Sequence, residues 1–76
     1  MIKWNNLDEM GNEFVYRKAG ISAYIIRQRN ANHQVEWSWQ VINTDTNTSI
    51  HGFASFADAC FYKAEKAIEW VDREGI

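Results

Sequence analysis

From Val35 to Val41 large apolar residues alternate with polar ones. Val35, Trp37, Trp39 and Val41 fall on one side, and Glu36, Ser38 and Gln40 on the other. A two-residue period of this kind predicts a strand with one bulky face. From Ser55 to Arg73 the period is helical, and the middle of the apolar stripe is small: Ala57, Cys60, Ala64 and Ala67. Bulky groups on a sheet opposite small groups on a helix let the two layers approach closely. Ile21 to Arg29 reads as a further strand, joined to the tryptophan strand by a turn at Asn30-Ala31-Asn32-His33. Phe14 to Lys18 reads as extended and is punctuated by Ala19-Gly20. The pattern predicts an α+β domain, with a three- to four-stranded antiparallel sheet and one C-terminal helix on one face, in the order β-β-β-α. Residues 1–13 read as irregular, 14–54 as antiparallel strands and 55–74 as helix.

The turns suggest a register. If Arg29 faces Gln34, Ile26 faces Trp37, Tyr24 faces Trp39, and Arg27 lies opposite Glu36 as a cross-strand charge pair. A three-residue loop with Asn47 left-handed then sets Trp39 opposite Phe53, while a one-residue slip would set Trp39 over Gly52. In the favoured register the face away from the helix carries Ile21, Ala23, Ile25, Arg27, Glu36, Ser38, Gln40, Ile42 and Ile50. That is apolar for a solvated face. Ser55 is the expected N-cap of the helix, Phe56 joins its buried face, and Gly75 ends it.

Size sharpens this picture. A chain of 76 residues buries only about 60% of its unfolded surface, so its stability is marginal without added support. One cysteine excludes an internal disulfide, and no His/Cys cluster offers a metal site. Packing must supply the support, and four Trp, three Tyr and four Phe can do so. A formal net charge of -2 argues against sequence-independent nucleic-acid binding. The expectation is a protein of the reducing cytoplasm, since no export signal, no membrane-length apolar run and one free cysteine are seen.

Catalytic groups are scarce. Cys60 is the only candidate nucleophile, and it sits mid-stripe, where it reads as a small buried hydrophobe. His33 falls in a turn and His51 in a strand, and neither has a second ligand at metal spacing. No phosphate loop, nucleophile elbow or zinc-protease motif occurs. The chain therefore reads as a non-enzyme without cofactors. One charge feature remains: Arg17, Lys18, Arg27 and Arg29 lie in a stretch free of acidic residues. They are the candidate phosphate-contacting residues of a nucleic-acid-associated alternative.

Two resemblances follow. Gly52, Ser55, Ala59, Ala64, Ala67 and Ile68 match the spacing of the final strand and helix of the double-stranded RNA-binding domain, over roughly the last third of the chain. Where that family carries phosphate-gripping lysines, Phe56, Ala57 and Cys60 stand here, so the likeness implies topology rather than binding. Trp37, Trp39, Val41, Gly52, Ala54 and Ser55 resemble the W-x-W-x-V and G-x-A-S pattern of small acidic single-domain phage and prophage proteins. That group includes inhibitors of bacterial defence systems such as CRISPR–Cas, which act by steric blockade.

The functional expectation is a non-enzymatic protein-binding module, a phage-derived inhibitor that occupies the surface of a bacterial protein or complex. Ile25, Ile42, Tyr62 and Trp70 are its expected contact residues. The alternatives are the nucleic-acid-associated domain and a homodimer without activity of its own.

Overall fold

The computed structural model describes residues 2–75. Five strands form one antiparallel sheet in sequence order, β1 (Asn5–Asn6), β2 (Glu13–Lys18), β3 (Ile21–Arg29), β4 (Val35–Asn43) and β5 (Thr48–Ala54). One helix, α1 (Ala57–Glu74), crosses one face. The α+β class and the C-terminal helix are as the sequence predicts, but the sheet has five strands rather than three to four. The addition is β1, a two-residue pairing of Asn5 with Val15 and Asn6 with Phe14.

Turn length sets the register, and both longer turns differ from expectation by one residue. The β3–β4 loop is closed by Arg29 opposite Val35. The Asn30 carboxamide oxygen accepts from the Asn32 and Gln34 amides, and His33 takes a left-handed φ of 62°. The extra loop residue slides the pairing, so Ile25 faces Trp39 and Arg27 faces Trp37. Between β4 and β5, Asn43 accepts from the amides of Asp45 and Thr46 through its side chain, and Asn47 has the expected left-handed φ, 59°. The loop has four residues, Asn43 faces Thr48, and Trp39 lies opposite Gly52 rather than Phe53.

A slip of one residue exchanges faces. Ile21, Ala23 and Ile25, expected on the uncovered side, are buried beneath the helix with Val41. Two contiguous clusters fill the interface. Ile21, Ala23, Val41, Ala67, Ile68 and Val71 form one. Ile25, Cys60 and Ala64 form the other, flanked by Trp37 and Trp39. Both indoles thus meet the small helix residues, as the alternation predicts. Small groups at Cys60, Ala64 and Ala67 are needed because sheet and helix touch where β3 passes below.

Trp39 shows how tight the packing is. A Cβ built on Gly52 would lie 2.8 Å from the Trp39 ring. We expect Gly52→Ala to lower stability by about 1–3 kcal/mol, the usual range for overpacking, measured by urea denaturation. An unchanged midpoint would show that the indole swings aside freely.

Helix α1 begins one turn-position later than expected. Phe56, not Ser55, occupies the N-cap, without a side-chain hydrogen bond. Phe56 therefore precedes the helical wheel and is exposed rather than buried. At the other end Gly75 has φ 73° and donates its N–H to the Val71 carbonyl, a left-handed cap that satisfies an orphan carbonyl.

The N-terminal segment, read as irregular, has a definite role. Trp4 stands against Tyr16 at 6.0 Å and Phe61 at 5.5 Å between ring centroids, and Phe61 meets Phe14 edge-on at 5.0 Å. The Trp4 Nε1 donates to Glu65 at 2.9 Å. This aromatic cluster closes the β1–β2 flank of the helix layer. The Asp8 carboxylate organises the following loop by accepting from the amides of Met10 and Asn12. Partial desolvation pushes its pKa up, but the bonds from Asn12, Met10 and Glu13 outweigh this and hold it below the ordinary value.

Candidate functional site: the uncovered sheet face

The helix covers one side of the sheet. On the other side the pairing places Ser22, Tyr24, Ile26 and Gln28 of β3, Glu36, Ser38, Gln40 and Ile42 of β4, and Ser49, His51 and Phe53 of β5. This set is more polar than the expected one, because the register returns Ile21, Ala23, Ile25 and Ile50 to the helix side. Apolar groups still interrupt it. Phe53 is 53% exposed, and Ile26 is also open.

These side chains form a shallow groove of about 310 Å³. Ile26 brings aliphatic surface to it. Tyr24 and Phe53 bring aromatic surface, and Gln28, Ser38, Gln40 and His51 bring neutral polar groups. No carboxylate, lysine or arginine lines it. At its margins Gln28 Nε2 donates to Glu36 at 3.2 Å, and an Arg17 N–H reaches the Tyr24 hydroxyl at 3.5 Å. A neutral groove lined by both apolar and hydrogen-bonding groups suits an uncharged, amphipathic surface or a large side chain. Among the described residues no cluster of His, Cys, Asp and Glu could hold a metal.

The four expected contact residues do not form one surface. Ile25 is 0% exposed beneath α1, so its assignment as a contact is corrected: the one-residue turn difference put it in the core. Ile42 is half-buried on the uncovered face. Tyr62 and Trp70 are on the helix, in the opposite layer, at 64% and 39% exposure. Phe61, Glu65 and Asp72 turn toward β1 and β2, so helical geometry puts Trp70 on the other flank, toward β5. Tyr62 has the Lys66 ammonium 5.6 Å from its ring centre. Sequence reading missed Tyr24, Ile26, His51 and Phe53 as a group. The signal that would have found them is loop length, which decides the face of each.

The basic residues are dispersed as well. Arg17 is on the uncovered face, opposite Ser22. Lys18 points to the helix side and pairs with Asp72 at 3.0 Å. Arg27 and Arg29 share the helix-side parity, and Arg29 donates to the His33 carbonyl. Arg29 lies seven residues along β3 from Ser22, roughly 24 Å at the usual strand rise. No continuous phosphate-binding strip results.

Cys60 is fully buried, and burial pushes its thiol up to about 11 from an ordinary 9.0, with Lys63 opposing weakly. A thiol with a raised folded pKa keeps its proton better folded than unfolded. Its contribution is whole below about pH 9 and is lost as pH rises toward 11. The Lys18 ammonium acts at higher pH, because its bond to Asp72 raises its pKa above the ordinary 10.5, so its contribution is whole below that value and is lost only above it. We therefore expect chemical stability to fall between pH 9 and 11, with Cys60→Ala showing a shallower fall, followed by urea midpoints across that range. Thiol reagents should label the native protein at pH 8 only at the rate of its opening.

No protein-family model matches the chain, and neither does a curated protein or a solved structure. Among the described residues no helix is long and apolar enough to cross a membrane.

Proposed function

We propose that this protein is a non-enzymatic binding module that docks a partner protein on the uncovered face of its sheet. The observation that carries this reading is the neutral groove between Tyr24, Ile26 and Phe53, on the face away from the helix, where no helix or strand of the described residues lies over it. Its chemistry fits a partner that inserts one large apolar side chain and satisfies the surrounding amides with its own backbone. Such an anchor in a desolvated pocket supplies most of the affinity of a protein contact. Ile42 extends the same surface. In the narrower form supported by the likeness to small phage proteins, the partner is a bacterial defence complex, and occupation of its surface is the whole effect.

The test is affinity capture from bacterial lysate with Phe53→Asp and Ile26→Asp as variants. Both positions are exposed, so the fold tolerates them. A captured protein should survive a salt wash, be lost with either variant, and be retained by Tyr62→Ala. Capture that is indifferent to Phe53 and Ile26, or that disappears with salt, overturns the reading.

A further inference from the structure

The sheet ends differently on its two sides. At one edge β1 has two residues, a short strand of the kind that blunts an edge. At the other, β5 is seven residues long and, among the described residues, has a neighbour only in β4. Edge strands normally carry lysine, proline or a bulge that discourages pairing. β5 reads Thr-Ser-Ile-His-Gly-Phe-Ala, with neither an acidic residue, a lysine, an arginine nor a proline. Its pairing with β4 runs without interruption from Asn43–Thr48 to Trp37–Ala54, so no bulge twists it away. Helix α1 packs chiefly on β3 and β4.

We propose that β5 pairs with β5 of a second copy of this chain, antiparallel about a two-fold axis, to make one ten-stranded sheet. Self-pairing requires residues of the same face to meet, and full overlap of the seven residues satisfies this with His51 on the axis. On the helix side Thr48 then faces the second copy's Ala54, and Ile50 faces its Gly52. On the uncovered side Ser49 faces Phe53. Apart from His51, which meets its own copy on the axis, each large side chain meets a small one, and no fixed charges oppose each other, which favours cross-strand pairing. At the Ile50–Gly52 match the Trp39 indole already lies over Gly52, so the second copy's isoleucine meets that ring rather than a vacancy. A charged partner strand would gain nothing from this uncharged edge, whereas a second copy uses all seven residues.

The axis stands perpendicular to the sheet, so both helices lie on one side and both grooves on the other. His51 and Phe53 line the groove, and the second copy's Ser49 and His51 extend its wall. The dimer thus lengthens the surface proposed above but does not depend on a partner for that surface. It is tested on purified protein alone, so it can fail while the docking reading stands.

Sedimentation equilibrium of the purified protein should show a monomer–dimer equilibrium. His51→Asp and His51→Lys each place like charges together on the axis, and each should sediment as a monomer at concentrations where the parent is dimeric. An equimolar mixture of the two variants should recover the dimer, since aspartate then faces lysine. Amide exchange in β5 should slow as concentration rises. A parent protein that stays monomeric at about 200 μM, a dimer that persists in either variant, or a mixture that fails to recover would each overturn the proposal.

Discussion

Ile25→Asp should unfold this protein at room temperature, and Ile25→Ala should cost about 2–5 kcal/mol, the range for truncating a buried isoleucine. Ile25 is 0% exposed and packs on Cys60 and Ala64. The two helix residues are already small, so the helix would have to move bodily to close the cavity. A carboxylate there adds the cost of a buried, unpaired charge, several kcal/mol in practice. Stability per residue is about 0.05–0.15 kcal/mol in ordinary domains, which puts a chain of this size near 4–11 kcal/mol. The aspartate exceeds the lower part of that range by itself. Circular dichroism and urea denaturation decide the matter. A folded Ile25→Asp protein that has merely lost a binding partner would return Ile25 to an exposed surface.

That contrast shows what the sequence could reveal. Strand and helix periods are local, and they survive in the structure: the alternation in β4, the small stripe of α1, the left-handed Asn47 and the glycine cap are where the residues put them. Face assignment is not local. It depends on how many residues a turn consumes, and here two asparagine side chains decide that. Asn30 and Asn43 each bind amides in the loop that follows. Each lengthens its turn by one residue relative to expectation, and one residue is enough to move Ile25 from the surface to the core and Phe53 in the opposite sense. The chemistry of the uncovered face was therefore legible only in part, through Glu36, Ser38, Gln40 and Ile42.

The N-terminal contribution was hidden for another reason. A two-residue strand has no period, so Trp4 carried no structural signal in sequence. Its partners Tyr16, Phe61 and Glu65 are separated from it by up to 61 positions, and only the topology brings them together. The first strands contribute no residue to the groove. They lengthen the sheet and seal the helix flank, which leaves the groove uncovered.

Trp4→Ala should therefore destabilise the whole domain rather than loosen a tail, by about 3 kcal/mol, near the low end for a buried tryptophan. The indole touches the core from the edge, contacts Phe61 and Tyr16, and is only half-buried. Its loss also leaves Glu65 without its indole donor. Trp4→Phe separates the two contributions, since it keeps an aromatic ring but removes the Nε1–H. That variant should lose about 1 kcal/mol, the usual net value of one hydrogen bond. Glu65→Gln keeps an acceptor and should stay close to the parent. Urea midpoints for the three variants order as Glu65→Gln, Trp4→Phe, Trp4→Ala from most to least stable. If Trp4→Ala matched the parent, the N-terminal strand would be an ornament on a sheet that needs only β2 to β5. Loss of cooperativity, seen as separate transitions by tryptophan fluorescence and by circular dichroism, would locate the seal at the β1–β2 flank as the part that opens first.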